Sequence, residues 1–186
     1  MKNIIAFIVE LVKIVFISLV IIVPIRYFLI QPFYVKGASM EPNFYDREYL
    51  IIDEISYRLG EPERGDIVVF RYPLDPQEFF IKRVIGLPGE SIQIKGGNVV
   101  IYNEENPNGV FLEENYLPED LKTYGLTEDM VELGDEQYFV LGDNRSSSKD
   151  SRSFGAVDES FLIGKVLLRG LPFNRAQFFD APQYSF

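Results

Sequence analysis

From Ile4 to Val23 the chain runs for 20 residues in which Glu10, Lys13 and Ser18 are the only polar side chains. In lipid such a segment has one backbone solution, an α-helix that satisfies its own N–H and C=O groups. Its length suits a hydrocarbon core about 30 Å thick. Glu10 and Lys13 stand three apart and can pair on one helical face, while Arg26, beside Tyr27 and Phe28, can reach toward headgroups. Sliding the span to Leu11–Ile30 puts Lys13 and Arg26 near its edges and a kink at Pro24. Two other readings fare worse. A cleavable signal peptide cut after Ala38 would carry Lys36 where a small residue belongs, and a buried core helix would show an amphipathic stripe. The sequence thus predicts a membrane-anchor helix within residues 1–30. Lys2 and Lys13 on one side nearly match Arg26 and Lys36 on the other, so charge alone does not orient it.

From Gln31 onward the apolar period changes to two. β-Branched and aromatic runs recur between turn residues at Glu48–Ile55, Asp66–Tyr72, Glu78–Ile85, Ser91–Lys95, Val99–Tyr102, Gln137–Leu141 and Ile163–Arg169. These predict an all-β fold, a largely antiparallel sheet domain over 31–169. Gly96-Gly97 supplies the turn of a hairpin. Between 103 and 136 the pattern fades into an acidic excursion, with a short helix expected near Pro118–Leu121. Residues 170–186 form a tail with Phe178, Phe179 and Tyr184, whose packing the sequence leaves open.

The 186 residues suffice for one modest core plus an appendage. Of 28 acidic and 18 basic residues, nine acids and one lysine fall between Glu113 and Glu136, so the rest is nearly neutral. Without a basic stripe there is no footprint for nucleic acid. The chain contains no histidine and no cysteine. A serine triad lacks its imidazole, thiol chemistry its thiolate, and common zinc sites their ligands. No metal or cofactor is implied. The absence of cysteine leaves the redox compartment open.

What survives is Ser–Lys catalysis, carboxylate catalysis or no catalysis, and any nucleophilic chemistry must run on a serine and a lysine. In Phe79-Phe80-Ile81-Lys82-Arg83-Val84, a strand places Phe80 and Val84 on the face of Lys82 and Phe79, Ile81 and Ile85 on the other. Apolar cover penalises the charged amine and can bring its pKa from about 10.4 toward 7–8, where a lysine serves as a base. The same pattern also describes a lysine whose stem crosses an apolar strand while its ammonium stays in water. Ser39 in Gly37-Ala38-Ser39-Met40-Glu41-Pro42 reads either as a turn serine or as an exposed nucleophile whose own amide is free for an oxyanion. Ser146-Ser147-Ser148-Lys149 matches the Ser-x-x-Lys pattern of penicillin-binding enzymes, but the downstream Lys-Thr-Gly is missing. Asn144-Arg145-Ser146 is a formal glycosylation acceptor with no further support.

Four short motifs together resemble those of the bacterial type I signal peptidases, membrane-anchored serine proteases. They are Ser39-Met40-Glu41-Pro42, Arg64-Gly65-Asp66-Ile67-Val68-Val69-Phe70, Lys82-Arg83-Val84-Ile85-Gly86-Leu87-Pro88-Gly89-Glu90, and Gly142-Asp143-Asn144-Arg145 through Ser148, Asp150, Ser151 and Arg152. They occur in that family's order, and with the anchor the resemblance runs from residue 1 to about 169. It implies Ser39 as nucleophile, Lys82 as general base and Ser148 as the hydroxyl that orients the amine. Asp143, Arg145, Asp150 and Arg152 become supporting charges, which otherwise read as a surface ion-pair loop.

The resemblance further implies cleavage of secretory preproteins, bound by strand addition, with small residues at positions one and three before the cut. Phe33, Val35, Met40, Phe80 and Ile81 match the pocket positions and read equally as core, and they can be both. Gly37 and Phe44 flank the nucleophile as departures: Gly37 replaces a hydroxyl that some relatives use as a second oxyanion donor, and Asn43-Phe44 stand where Thr-Leu is usual, so Phe44 would narrow the small-residue pocket. The implied location is the bacterial cell membrane, single-pass, with the catalytic domain on the extracytoplasmic side. The aromatic cluster of Tyr27, Phe28, Phe33, Tyr34, Phe44 and Tyr45 is expected to dip into the headgroups of the bilayer. Two alternatives remain, a Ser–Lys processing peptidase of narrow substrate range, such as a pilin or conjugation type, and a membrane-tethered β domain that binds extended peptides without cutting them.

Overall fold

The computed structural model describes residues 2–24, 30–125, 129–182 and 184. Helix α1 (Lys2–Pro24) contains the apolar span Ile4–Val23, long and apolar enough to cross a membrane, with none of it packed against protein. The residues expected at its far end, Arg26, Tyr27 and Phe28, lie outside the described ones.

The rest is antiparallel sheet. The strands are β1 (Ile30–Tyr34), β2 (Tyr49–Asp53), β3 (Ile67–Tyr72), β4 (Asp75–Gly86), β5 (Ser91–Lys95), β6 (Asn98–Tyr102), β7 (Val110–Phe111), β8 (Val131–Glu132), β9 (Gln137–Leu141), β10 (Val157–Asp158), β11 (Leu162–Leu171) and β12 (Gln177–Phe178). Two one-turn helices interrupt them, α2 (Ser56–Leu59) and α3 (Ser151–Phe154). The larger sheet has the order β1-β2-β11-β3-β4-β9-β10, with β12 added to β11. A four-stranded sheet has the order β7-β6-β5-β8.

The seven expected strands are all present, with β4 and β11 longer than their apolar runs. β4 begins at Asp75 because it forms a tight hairpin with β3, pairing Asp75 with Tyr72. β1 has no run of its own in the sequence and exists by pairing Phe33 with Leu50 of β2. Gly96 and Gly97 make the β5–β6 turn at φ +60° and +83°, a conformation that favours residues without a Cβ. The helix expected near Pro118–Leu121 is a turn instead, closed by Leu121 N–H donating to the Pro118 carbonyl at 3.0 Å.

β3 shows why its apolar run is continuous. Ile67 and Val69 join one core with Val35, Met40, Phe44, Leu50 and Ile52, whereas Val68 and Phe70 join another with Val84, Tyr138 and Val140. Both faces of the sheet centre are covered, so neither can carry polar alternation. A third core, with Ile85, Ile92, Ile101 and Phe139, lies between the large sheet and the small one.

Candidate active site

Ser39 sits in the loop between β1 and β2. The loop is anchored by Val35, Met40 and Phe44, all buried in the first core. Phe44 N–H closes a turn on the Met40 carbonyl at 2.8 Å. Gly37 enters it at φ +87° and donates its N–H to Asp46 Oδ1 at 2.9 Å. Ser39 is left half-buried at the surface.

Lys82 comes from β4, where Lys82 pairs with Val68 of β3. On the other side β9 pairs with β4 only from Arg83 onward, so the edge beside Ile81 and Lys82 is not taken by a strand. Nζ lies 2.8 Å from Ser39 Oγ and 2.7 Å from the Ile81 carbonyl. Lys82 is 3% exposed. Burial lowers its pKa from the ordinary 10.5 to about 8, against the opposing pull of the Asp150 and Asp143 charges. The reading of Lys82 as a stem with a solvated ammonium is therefore excluded.

Behind the pair lies a frame of buried charges. Arg83 pairs with Asp143 through Nε–Oδ1 at 2.9 Å and Nη2–Oδ2 at 2.7 Å, and donates from Nη1 to the Gly65 carbonyl at 3.0 Å. Asp150 pairs with Arg152 through two contacts of 2.8 Å and accepts from Gly142 N–H at 3.0 Å. Burial pushes the Asp150 carboxyl up, yet Arg152 and Gly142 outweigh it and hold the group below the usual carboxylate range. Arg145 donates to the Gly142 carbonyl at 3.0 Å and pairs with Glu114. Asp143 and Asp150 are fully buried and Arg145 nearly so, which removes the surface-loop reading of this motif. The fourth motif also grips the Ser39 loop directly, since Asn144 N–H donates to the Ser39 carbonyl and its Nδ2 to the Ala38 carbonyl, each at 3.0 Å.

Two expectations need correction. Ser148 was to orient the amine, but here the amine's partners are Ser39 and Ile81. The Ser148 hydroxyl is buried and packs so close to Gly142 that a Cβ there would lie 2.1 Å from it. Phe44, expected to narrow the small-residue pocket, is instead buried in the core, and of the two readings of Met40 the core one holds. The groove beside Ser39 has a volume of about 600 Å³; Phe33, Val35, Phe80 and Ile81 line it together with Phe79, while Gly37, Met40 and Phe44 do not. Of the expected aromatic surface cluster, Tyr34 and Tyr45 are exposed, Phe33 is half-buried and Phe44 is enclosed.

The sequence reading missed three contributors. Asn43 donates from Nδ2 to Asp143 Oδ2 at 2.8 Å and to the Tyr116 carbonyl at 3.0 Å. Arg83 lies 3.9 Å from the centre of the Tyr116 ring. Glu114 takes Arg145 and the Tyr116 hydroxyl. A polar residue just after a nucleophile motif was a signal for Asn43; nothing in the acidic excursion singled out Glu114 or Tyr116.

The family model described as signal peptidase, peptidase S26, matches residues 8–171. The chain is 40% identical over 173 residues to a probable signal peptidase I-2 of Synechocystis, covering 89% of this chain and 74% of that one. It is 32% identical over 178 residues to signal peptidase IB of Staphylococcus aureus, covering 90% and 91%. A crystal structure of a signal peptidase I from Enterococcus faecalis is similar at 31% identity and a TM-score of 0.46, over 56% of this chain and 96% of that one. With the family model matched from the apolar helix to the end of β11, the chain belongs to the signal peptidase family, peptidase S26, and is a serine endopeptidase that removes signal peptides.

Proposed function

We propose that Ser39 and Lys82 form the catalytic dyad of a membrane-anchored signal peptidase that cuts exported preproteins on the extracytoplasmic side. The observation that carries this is the 2.8 Å contact between Ser39 Oγ and an amine brought to about pH 8 by burial. When Lys82 is neutral, its lone pair accepts the Ser39 hydroxyl proton as Oγ bonds to the scissile carbonyl carbon. The resulting oxyanion faces the Ser39 N–H, which has no partner among the described residues. The ammonium returns the proton to the leaving amine, and an acyl-enzyme remains. Lys82 then takes a proton from water, hydroxide attacks the ester carbon, and Ser39 leaves with the proton.

The signal-peptide segment is taken up as an added strand between edge strand β1 and the edge of β4 that β9 leaves open. Phe33, Val35 and Ile81 close in on alternate substrate side chains there, which favours small residues one and three before the cut. Asp143, Arg145, Asp150, Arg152 and Ser148 hold the loops that carry the dyad. The anchor is Ile4–Val23.

The test is cleavage of a preprotein bearing Ala-x-Ala by the full chain in detergent. Cleavage by the unaltered chain, absent in Ser39→Ala and Lys82→Ala, is expected. Normal cutting by either variant would overturn the dyad, and binding without cutting by the unaltered chain would favour a peptide-binding module.

A further inference from the structure

The tail beyond residue 171 lies outside the family match, yet it touches both halves of the dyad's support. After the turn Phe173–Arg175, β12 pairs with β11 and Phe179 N–H donates to the Leu167 carbonyl at 3.0 Å. The Phe179 ring packs on Phe44 of the nucleophile loop with centres 4.6 Å apart. Arg169 lies against both rings and donates to the Asn43 carbonyl at 2.6 Å, and Arg175 donates to the same carbonyl at 3.2 Å. Further on, Pro182 covers Gly65 so closely that a Cβ on Gly65 would lie 2.4 Å from Pro182 Cδ and 3.0 Å from the Tyr184 hydroxyl. The Gly65 carbonyl is the one that holds Arg83. The Tyr184 hydroxyl is buried beside Tyr116, within the field of Arg83 and Glu114.

We propose that the C-terminal tail is a positioning element for the dyad: Phe179 fixes the nucleophile loop through Phe44, and Pro182 with Tyr184 fixes the lysine strand through Gly65, Arg83 and Tyr116. Ser39 and Lys82 come from elements 43 residues apart, so their contact depends on how the β1–β2 loop is seated against β4. A tail that only thickened the core would touch one of these; this one bridges them. It also meets Asn43 and Phe44, the two residues that follow Ser39-Met40-Glu41-Pro42 in the loop. A misplacement of about 1 Å at such a contact can cost on the order of 100-fold in rate.

The inference rests on the dyad assignment and is tested beside it. The full chain in detergent is compared with a chain ending at Asp180 and with Tyr184→Ala, Tyr184→Phe and Ser39→Ala. The readouts are kcat and KM on the Ala-x-Ala preprotein, and the rate at which a serine-directed acylating inhibitor modifies Ser39, all well below the melting temperature. The shortened chain should lose about tenfold in kcat and in acylation rate with KM within about twofold, while Tyr184→Phe, which keeps the ring and loses only the hydroxyl set against Gly65 and Tyr116, should lose less than Tyr184→Ala. Unchanged rates in a shortened chain that still melts cooperatively would overturn the proposal. Should the shortened chain fail to fold, Tyr184→Ala decides by the same split, a fall in kcat alone supporting the proposal and unchanged kcat refuting it. Cleavage by Ser39→Ala would remove the dyad, and the proposal with it.

Discussion

A buried base should cost the fold stability, and replacing Lys82 by methionine should return it. The ordinary amine pKa of 10.5 falls to about 8 in the folded chain. At about 1.36 kcal/mol per tenfold change, that difference corresponds to about 3 kcal/mol of preference for the uncharged form. Below pH 8 the amine is charged in both folded and unfolded chains, and the folded one bears the whole cost. Between pH 8 and 10.5 the unfolded chain binds more protons, so stability rises with pH, and above 10.5 the cost is gone. Methionine has similar reach and no charge. The stability of Lys82→Met relative to the unaltered chain should therefore be greatest at pH 6–7 and shrink by about 3 kcal/mol by pH 11, with no cleavage activity at any pH. Guanidinium unfolding followed by tyrosine fluorescence measures this, since the chain has 11 tyrosines and no tryptophan. Taking the difference between the two proteins cancels the alkaline titration of the tyrosines. A difference that stays constant from pH 6 to 11 would refute the claim that burial of this amine sets its pKa.

Three further outcomes follow from the same geometry. Preprotein cleavage by the unaltered chain should fall about tenfold per pH unit below about pH 8, because in the proposed dyad only the neutral amine can accept the Ser39 proton; a flat kcat profile from pH 6 to 9 would contradict it. Asp143→Asn should cost about 3–5 kcal/mol in denaturant unfolding, because it leaves the Arg83 guanidinium buried without its carboxylate, and a loss below about 1 kcal/mol would show the pair to be dispensable. Gly142→Ala should lower kcat about 100-fold, because the new Cβ would lie 2.1 Å from Ser148 Oγ and 2.5 Å from the Ser39 carbonyl oxygen; near-normal kcat would mean that the loop yields without moving Ser39.

The strand pattern was legible because strands at the sheet centre are apolar on both faces, as β3 is, and because glycines mark the β5–β6 turn. β1 was not, since Gln31-Pro32-Phe33 forms a strand only against β2. Ser39 and Lys82 stood out once histidine and cysteine were absent, and the apolar cover of Lys82 was written in its neighbours along β4. Phe44 was misread as a pocket residue because a loop lacks the period that assigns side chains to faces, and its true partner, Phe179, lies 135 residues further on. The acidic excursion read as a solvated cap from its run of acids, and most of its described carboxylates are indeed exposed. Glu114 and Tyr116 differ from them only through contacts with Arg145 and Arg83, which depend on the folded path of the chain.

As the proposed base, Lys82 poses a problem that an imidazole would not, and the charge frame solves it. A lysine works near neutral pH only if it is kept dry and out of the reach of uncompensated anions, since a nearby carboxylate favours the ammonium. Yet the loops around Lys82 are fastened by carboxylates, Asp143 and Asp150, and each of them raises its pKa. Each is also matched to one guanidinium by two short contacts, Arg83 on Asp143 and Arg152 on Asp150, so most of its field ends on its partner. Burial can then dominate and hold the amine at about 8. On this reasoning the arginines keep the carboxylates from recharging the base, and removing the Arg152 guanidinium should move the alkaline-going rise of the rate profile to higher pH even if the loop stays in place.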